Sequence, residues 1–294
     1  MKEVGKKIYY DEKKLAAESV FKDNGRFINL KGEKTYIVEK GKGDNIILLN
    51  GIAASIFTWR HLIDILSREF HVFGIDYSGT GLSEKKERKY SINIFTEQII
   101  DLMNYFNMDK CILVGNSLGG EAALNIAIKY PDMVKGLILI DSAGYQENKE
   151  VTKFLVRLSR FKITSRLLNF CMSRKFVKKI IKWGLYNDEI VNYDMVDGYY
   201  KPMKTKGGLK AFIDLVKNLS FTEFNYNEVK NIEIPTLIIW GRDDKWIPLS
   251  DGYRLKKDIK NSELIIIEDC GHGPQEEKPG YVSLLIKDFI NNKL

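Results

Sequence analysis

Cysteine is scarce. The three in these 294 residues, Cys111, Cys171 and Cys270, are too few and too far apart for a disulfide framework or a spaced zinc site. They read as free thiols of a reducing compartment. Six prolines and 23 glycines are too few for a collagen-like or low-complexity chain. No apolar run approaches the roughly 18 residues that span a bilayer. The first 25 residues are rich in Lys and Glu and carry no apolar h-region, so no secretory signal is expected and a cytoplasmic location is. The phosphate-cradling pattern GxxxxGK[ST] is also missing. What remains is an ordinary globular balance, 44% hydrophobic, 12% aromatic and 29% charged. The length suits one large domain or one domain with an insertion.

The net charge of +7 is localised. Residues 151–187 hold ten cations (Lys153, Arg157, Arg160, Lys162, Arg166, Arg174, Lys175, Lys178, Lys179 and Lys182) and no Asp or Glu. Without them, 36 basic residues face 39 acidic ones. A basic nucleic-acid-binding fold spreads its charge differently, so no nucleic-acid partner is expected. Apolar residues such as Phe154, Phe161, Phe170, Phe176 and Trp183 interleave with the cations. That pattern fits amphipathic helices with solvated basic faces, and it also suits weak association with an anionic substrate or an anionic membrane surface.

Short apolar runs alternate with longer periodic segments. Ile46–Leu49, His71–Ile75, Cys111–Val114 and Leu137–Ile140 read as buried strands. Trp59–Ser67, Ile92–Phe106 and Leu118–Lys129 read as helices between them. Strand–helix alternation implies right-handed crossovers and a mostly parallel sheet, begun here by antiparallel strands within Arg26–Glu39. The alternation stops from about Tyr145 to Tyr226, where the segments look helical. It resumes with strands at Thr236–Trp240 and Leu264–Ile267 and helices at Ser250–Asp258 and Tyr281–Asn291. The expected organisation is an α/β core of residues 26–144 and 227–294, a helical cap of 145–226 after the sixth strand, and an N-terminal extension, 1–25, of unassigned packing.

The chemistry concentrates at the ends of these strands. Gly115-Asn116-Ser117-Leu118-Gly119 matches G-x-S-x-G between a strand and a helix, the context that motif needs. The turn strains the serine backbone, and glycines two residues away on each side let neighbouring chain pass close. A serine hydroxyl needs a base and a group that orients that base. His61 lies in a helix and His71 begins a strand, which are structural or surface positions. His272 instead lies in a loop beyond a strand's carboxyl end, where open α/β sheets place their sites. The preceding strand ends in Trp240-Gly241-Arg242-Asp243-Asp244, giving the chain order Ser, Asp, His.

On these motifs the sequence resembles the α/β-hydrolase superfamily from about Arg26 to Phe289. The resemblance implies an α/β-hydrolase fold, a twisted, mostly parallel sheet flanked by helices with a cap over the site. It implies Ser117 as nucleophile, His272 as base and Asp244 as orienting acid, since the family's acid commonly sits in G-x-x-D with Pro four residues on, here Gly241 and Pro248. Asp243 is the fallback. The backbone N–H groups of Leu118 and Ile52 would form the oxyanion hole, with Asn50, Gly51 and Asn116 as substrate contacts. The family's usual His-Gly is Asn50-Gly51 here. Asp76-x-x-Gly79-x-Gly81-x-Ser83 resembles the family's loop at the rim of the site. No metal and no organic cofactor is implied. The implied activity is hydrolysis of a carboxylic ester with a medium, apolar acyl group. The first alternative is carbon–carbon bond hydrolysis of ring-cleavage products, because Gly115-Asn116-Ser117 resembles that branch's elbow, although Gly273 stands where that branch has an aromatic residue. The second is a non-catalytic ligand-binding member.

Overall fold

The computed structural model describes residues 9–145, 172–219 and 224–294. They form an eight-stranded sheet in the order β1-β2-β4-β3-β5-β6-β7-β8. The strands are β1 Gly25–Leu30, β2 Glu33–Lys40, β3 Asn45–Leu49, β4 His71–Ile75, β5 Cys111–Asn116, β6 Val134–Ile140, β7 Thr236–Gly241 and β8 Ser262–Ile267. β1 and β2 pair antiparallel, as do β2 and β4, and every other pairing is parallel. The expected fold class holds. The first hairpin turns at Lys31-Gly32, both with positive φ (47° and 84°), which suits the twist of a two-residue β-hairpin.

The central strands are continuous apolar runs because both faces are covered. Alternate residues feed two cores. Ile47, Leu49 and Leu113 face one core, with α3 (Ile92–Tyr105) and α4 (Leu118–Lys129). Ile46, Leu48, Ile112 and Val114 face the other, with α2 (Arg60–Leu66) and the C-terminal helix Pro279–Lys293. The helix expected at Trp59–Ser67 is divided: a 3₁₀ turn at Ile56–Trp59, capped by the Ser55 hydroxyl accepting from Phe57 N–H, leads into α2. The C-terminal helix begins earlier than its periodicity suggested because Pro279 suits a first helical turn.

Between β6 and β7 the described residues form α5 (Arg174–Gly184), α6 (Tyr193–Met203) and α7 (Gly208–Leu219). Val177, Leu185, Val191, Met195 and Val196 make a small apolar cluster of their own there. Of the ten clustered cations, Lys153, Arg157, Arg160, Lys162 and Arg166 lie outside the described residues, as do Phe154, Phe161, Phe170 and Cys171. The other five lie on α5, where Arg174 pairs with Asp197, Lys182 with Asp188, and Lys178 sits over the Tyr193 ring. Part of the N-terminal extension is placed too. α1 (Glu12–Ala17) is capped by Asp11, Phe21 is buried in the second sheet core, and Tyr10 bridges to Thr205 beside α6. No helix among the described residues is long and apolar enough to cross a membrane.

Candidate active site

The loops after β3, β5, β6, β7 and β8 meet at the sheet's carboxyl edge. Ser117 ends β5 with φ 56° and ψ −121°, a conformation that L residues hold only when their surroundings impose it. Those surroundings are specific. Ser117 N–H donates to Ile140 O at 3.1 Å, and Ser117 O accepts from Gly120 and Ala143 N–H at 2.9 and 3.0 Å. A Cβ on Gly115 would fall 2.3 Å from Gly119 O, and one on Gly119 would fall 2.0 Å from Leu49 O. Both glycines of the motif are therefore steric necessities. The elbow also explains why α4 starts at Leu118, whose N–H is one of the helix's unpaired first-turn donors.

The loop expected to hold part of an oxyanion hole follows β3. Gly51 lies against the elbow, since a Cβ there would be 3.1 Å from Ser117 Cβ, and Ala53 takes a positive φ of 60°. Among the described residues, neither Ile52 N–H nor Leu118 N–H donates within the protein. Such free donors beside the serine are what stabilisation of an oxyanion requires. Asn50, expected as a substrate contact, is fully buried, with Nδ2 donating to Ile75 O at 3.1 Å. Its amide nitrogen braces the loop, and its Oδ1 has no partner among the described residues. Asn116 is a brace as well: its Nδ2 donates to Ile140 O at 3.1 Å and to His272 O at 3.4 Å. That second bond ties the nucleophile's neighbour to the loop of the candidate base.

His272 Nδ1 lies 2.7 Å from Asp244 Oδ2. The Asp244 side chain has no exposure, and its other oxygen accepts from Trp246 and Ile247 N–H at 2.7 and 3.1 Å. Asp243, by contrast, donates its backbone N–H to Cys270 O at 2.9 Å and holds the turn. The other two histidines are elsewhere: His61 is exposed, and His71 Nε2 lies 3.0 Å from Glu39 Oε1. Three contacts fix the His272 loop. His272 N–H donates to Gly184 O at 2.8 Å, Gly271 N–H donates to Glu277 Oε1 at 2.7 Å, and the Trp246 ring stands 6.2 Å from the imidazole. Burial pushes the Glu277 carboxyl and the Cys270 thiol up from their ordinary ranges.

The loop after β4 supports this edge from below. Asp76 Oδ1 accepts from Ile56 N–H at 2.8 Å and Oδ2 from Leu82 N–H at 2.7 Å, and a Cβ on Gly81 would collide with that carboxyl. Burial pushes Asp76 up to about 6. A small cavity of about 30 Å³ opens just past the loop after β3, lined by Ala53, Thr80, Tyr199, Met203, Phe212 and Leu215 among others, with no Lys or Arg.

One further carboxyl lies beside the His272–Asp244 pair. Asp141 follows β6, is fully buried, and has φ 42°. Its Oδ1 accepts from Gly241 N–H at 2.8 Å and its Oδ2 has no partner. Polar atoms of Asp141, Asp244 and His272 lie within 4.8 Å of one another. Its place at a strand's carboxyl end was the available signal.

A family model described as "alpha/beta hydrolase fold" matches residues 44–279. The chain is 28% identical over 277 residues to 2-hydroxy-6-oxo-6-(2'-aminophenyl)hexa-2,4-dienoic acid hydrolase of Metapseudomonas resinovorans, covering 92% of this chain and 89% of that one. It is also 28% identical over 270 residues to monoacylglycerol lipase ABHD6 of Bos taurus, covering 85% and 76%. The solved structure of a meta-cleavage product hydrolase from Pseudomonas fluorescens superposes with a TM-score of 0.80 at 25% identity, covering 92% of this chain and 99% of that one. With the family pattern matched across most of its length, this chain belongs to the alpha/beta hydrolase fold family and is a hydrolase.

Proposed function

We propose that the protein is a serine hydrolase that cleaves a neutral carboxylic ester with an apolar acyl group through an acyl-enzyme on Ser117. The observation that carries this reading is the convergence at one sheet edge of a strained serine and a 2.7 Å histidine–aspartate pair, with Asn116 bonded to the histidine's own carbonyl. His272 takes the Ser117 proton as the hydroxyl attacks the ester carbonyl, and Asp244 orients the ring and stabilises the imidazolium. The N–H groups of Leu118 and Ile52 hold the oxyanion. His272 returns the proton to the leaving alcohol, then activates water to release the acid and restore the serine.

The neutral lining of the cavity past Ala53 supports an uncharged acyl group. A p-nitrophenyl ester series from acetate to palmitate tests the reading. Turnover that peaks at one chain length and vanishes in Ser117→Ala is the expected result; folded protein with no turnover on any member overturns it.

The second reading is carbon–carbon hydrolysis of a vinylogous diketo acid, favoured by the similarity to the two ring-cleavage-product hydrolases. Such a substrate carries a carboxylate, whereas the described cavity offers no cation. Faster turnover of a 2-hydroxy-6-oxodienoate than of any ester would establish it.

A further inference from the structure

We propose that Asp141 is a second acid for His272, a positioning residue placed to hold the imidazole Nδ1–H when Asp244 does not. This rests on the reading of Ser117, His272 and Asp244 above. Two neighbouring parallel strands, β6 and β7, end at the same level, and each delivers an aspartate to the same ring. The polar atoms of all three residues lie within 4.8 Å of one another, so Asp141 needs a shift of at most about 2 Å to reach hydrogen-bonding distance of the imidazole. One of its oxygens is anchored on Gly241 N–H, and the other is buried without a partner. A carboxyl oxygen left unsatisfied in the interior is costly. The positive φ at Asp141 adds a second cost of the kind that accumulates where a side chain must be aimed. A residue with only a bracing role would need neither, because asparagine supplies the same acceptor to Gly241.

The groups that act on Asp141 explain why it stands back while Asp244 is in place. Burial comes first, then the negative charge of Asp244 from the loop after β7, with Glu277 from the short helix Pro274–Glu277 adding to both. From the loop after β8 the facing groups are His272 and the Cys270 thiol. Two carboxylates this close do not both ionise readily, so one proton is kept between them. Asp244 accepts from two backbone N–H groups and Asp141 from one, and burial together with the neighbouring Asp244 pushes the Asp141 carboxyl up, so Asp141 is the one that keeps a proton. When Asp244 is removed, the repulsion goes with it. Asp141 then releases its proton to solvent and its carboxylate accepts from His272 Nδ1–H.

The test compares Asp141→Asn, Asp244→Ala and the double variant, following both ester turnover and the rate at which a fluorophosphonate labels Ser117. Asp141→Asn by itself is expected to lower turnover less than Asp244→Ala does. Asp244→Ala is expected to retain activity that rises with pH along a limb the wild type does not have. The double variant should lose a further tenfold or more and lose that limb. Equal rates in Asp244→Ala and the double variant at every pH would overturn the proposal. A carboxyl ¹³C titration of Asp141 in the unsubstituted protein gives an independent reading that needs neither folding of a variant nor turnover. A neutral carboxyl at pH 7 is expected, and an ionised one overturns the proposal. If the wild type neither turns over esters nor labels, the serine hydrolase reading has failed, and the titration still reports on Asp141 by itself.

Discussion

The sheet's carboxyl edge and the helices between β6 and β7 are built by different rules. At the edge, almost every position is fixed from several directions at once. The Ser117 backbone is held by Ile140, Gly120 and Ala143, Asp244 by three donors, and the His272 loop by Gly184, Asn116 and Glu277. The helices α5 to α7 have a small apolar cluster of their own, add Ala211 and Leu215 of α7 to the first sheet core, and are joined to the rest by a few polar latches. The clearest is Tyr199 on α6, whose hydroxyl lies 2.9 Å from both Thr58 Oγ1 and Glu276 Oε1. Glu276 is itself paired with Arg60 at 2.8 Å. Precise placement of reacting groups requires over-determined supports. A surface that must admit different parts of a substrate does not, and regions with fewer buried contacts open more easily. Changes at the edge should therefore act on the chemical step, and changes in the inserted helices on substrate access.

The sharpest break of this comparison comes from Ser117→Ala and His272→Ala. Each should lower kcat by about 10⁴-fold or more with little change in Tm, and the double variant should lose no more than either single one, because the two act as a unit. Steady-state kinetics and a thermal melt check this; additive losses would separate the two residues. Next, Asp244→Asn should cost roughly 10³-fold, since an asparagine amide favours the wrong imidazole tautomer, while Asp243→Asn stays within a few-fold. The reverse ranking would exchange their roles.

Glu121 tests the region beneath the edge. It lies in the first turn of α4, buried, with Oε1 unpaired, and burial pushes it up to about 7. A carboxyl raised in the folded state is stabilised there at low pH, and this contribution disappears as pH rises through the folded value. Glu121→Gln should therefore melt with the wild type near pH 4 and a few degrees above it at pH 8, as followed by circular dichroism. The smallest effect should come from Tyr199→Phe. It removes one latch hydroxyl worth about 1 kcal/mol and should raise KM a few-fold while kcat is unchanged. A loss confined to kcat would show that α6 helps place the reacting groups.

Much of this protein is legible without coordinates. Continuous apolar runs bounded by Gly-rich turns mark central parallel strands, and period 2 along the strand against 3.6 along the helix separates the elements. Gly115 and Gly119 flanking Ser117 are readable because only glycine tolerates such close backbone. The resemblance to the family's G-x-x-D pattern, with Gly241 and Pro248, points to Asp244, whose carboxylate lies 2.7 Å from His272 Nδ1. For Asn50 and Asn116 the sequence leaves the role open, for a reason that is also physical. Sequence places an amide beside a site, but only burial and partners decide whether it faces substrate or ties two loops together. Asp141 escaped for the complementary reason, as nothing local marks an aspartate at the end of LILI as the neighbour of another one 103 residues later.

The sequence by itself determined the strands and the elbow, because each follows from sterics and periodicity acting over a few residues, and its resemblance to the family pointed to Ser117, His272 and Asp244 as the residues to test. The tertiary structure alone decided which asparagines brace and which backbone N–H groups stay free. It also brought two carboxyls close to one imidazole. These depend on distances between chain segments a hundred or more residues apart, and only the packing of the sheet sets them.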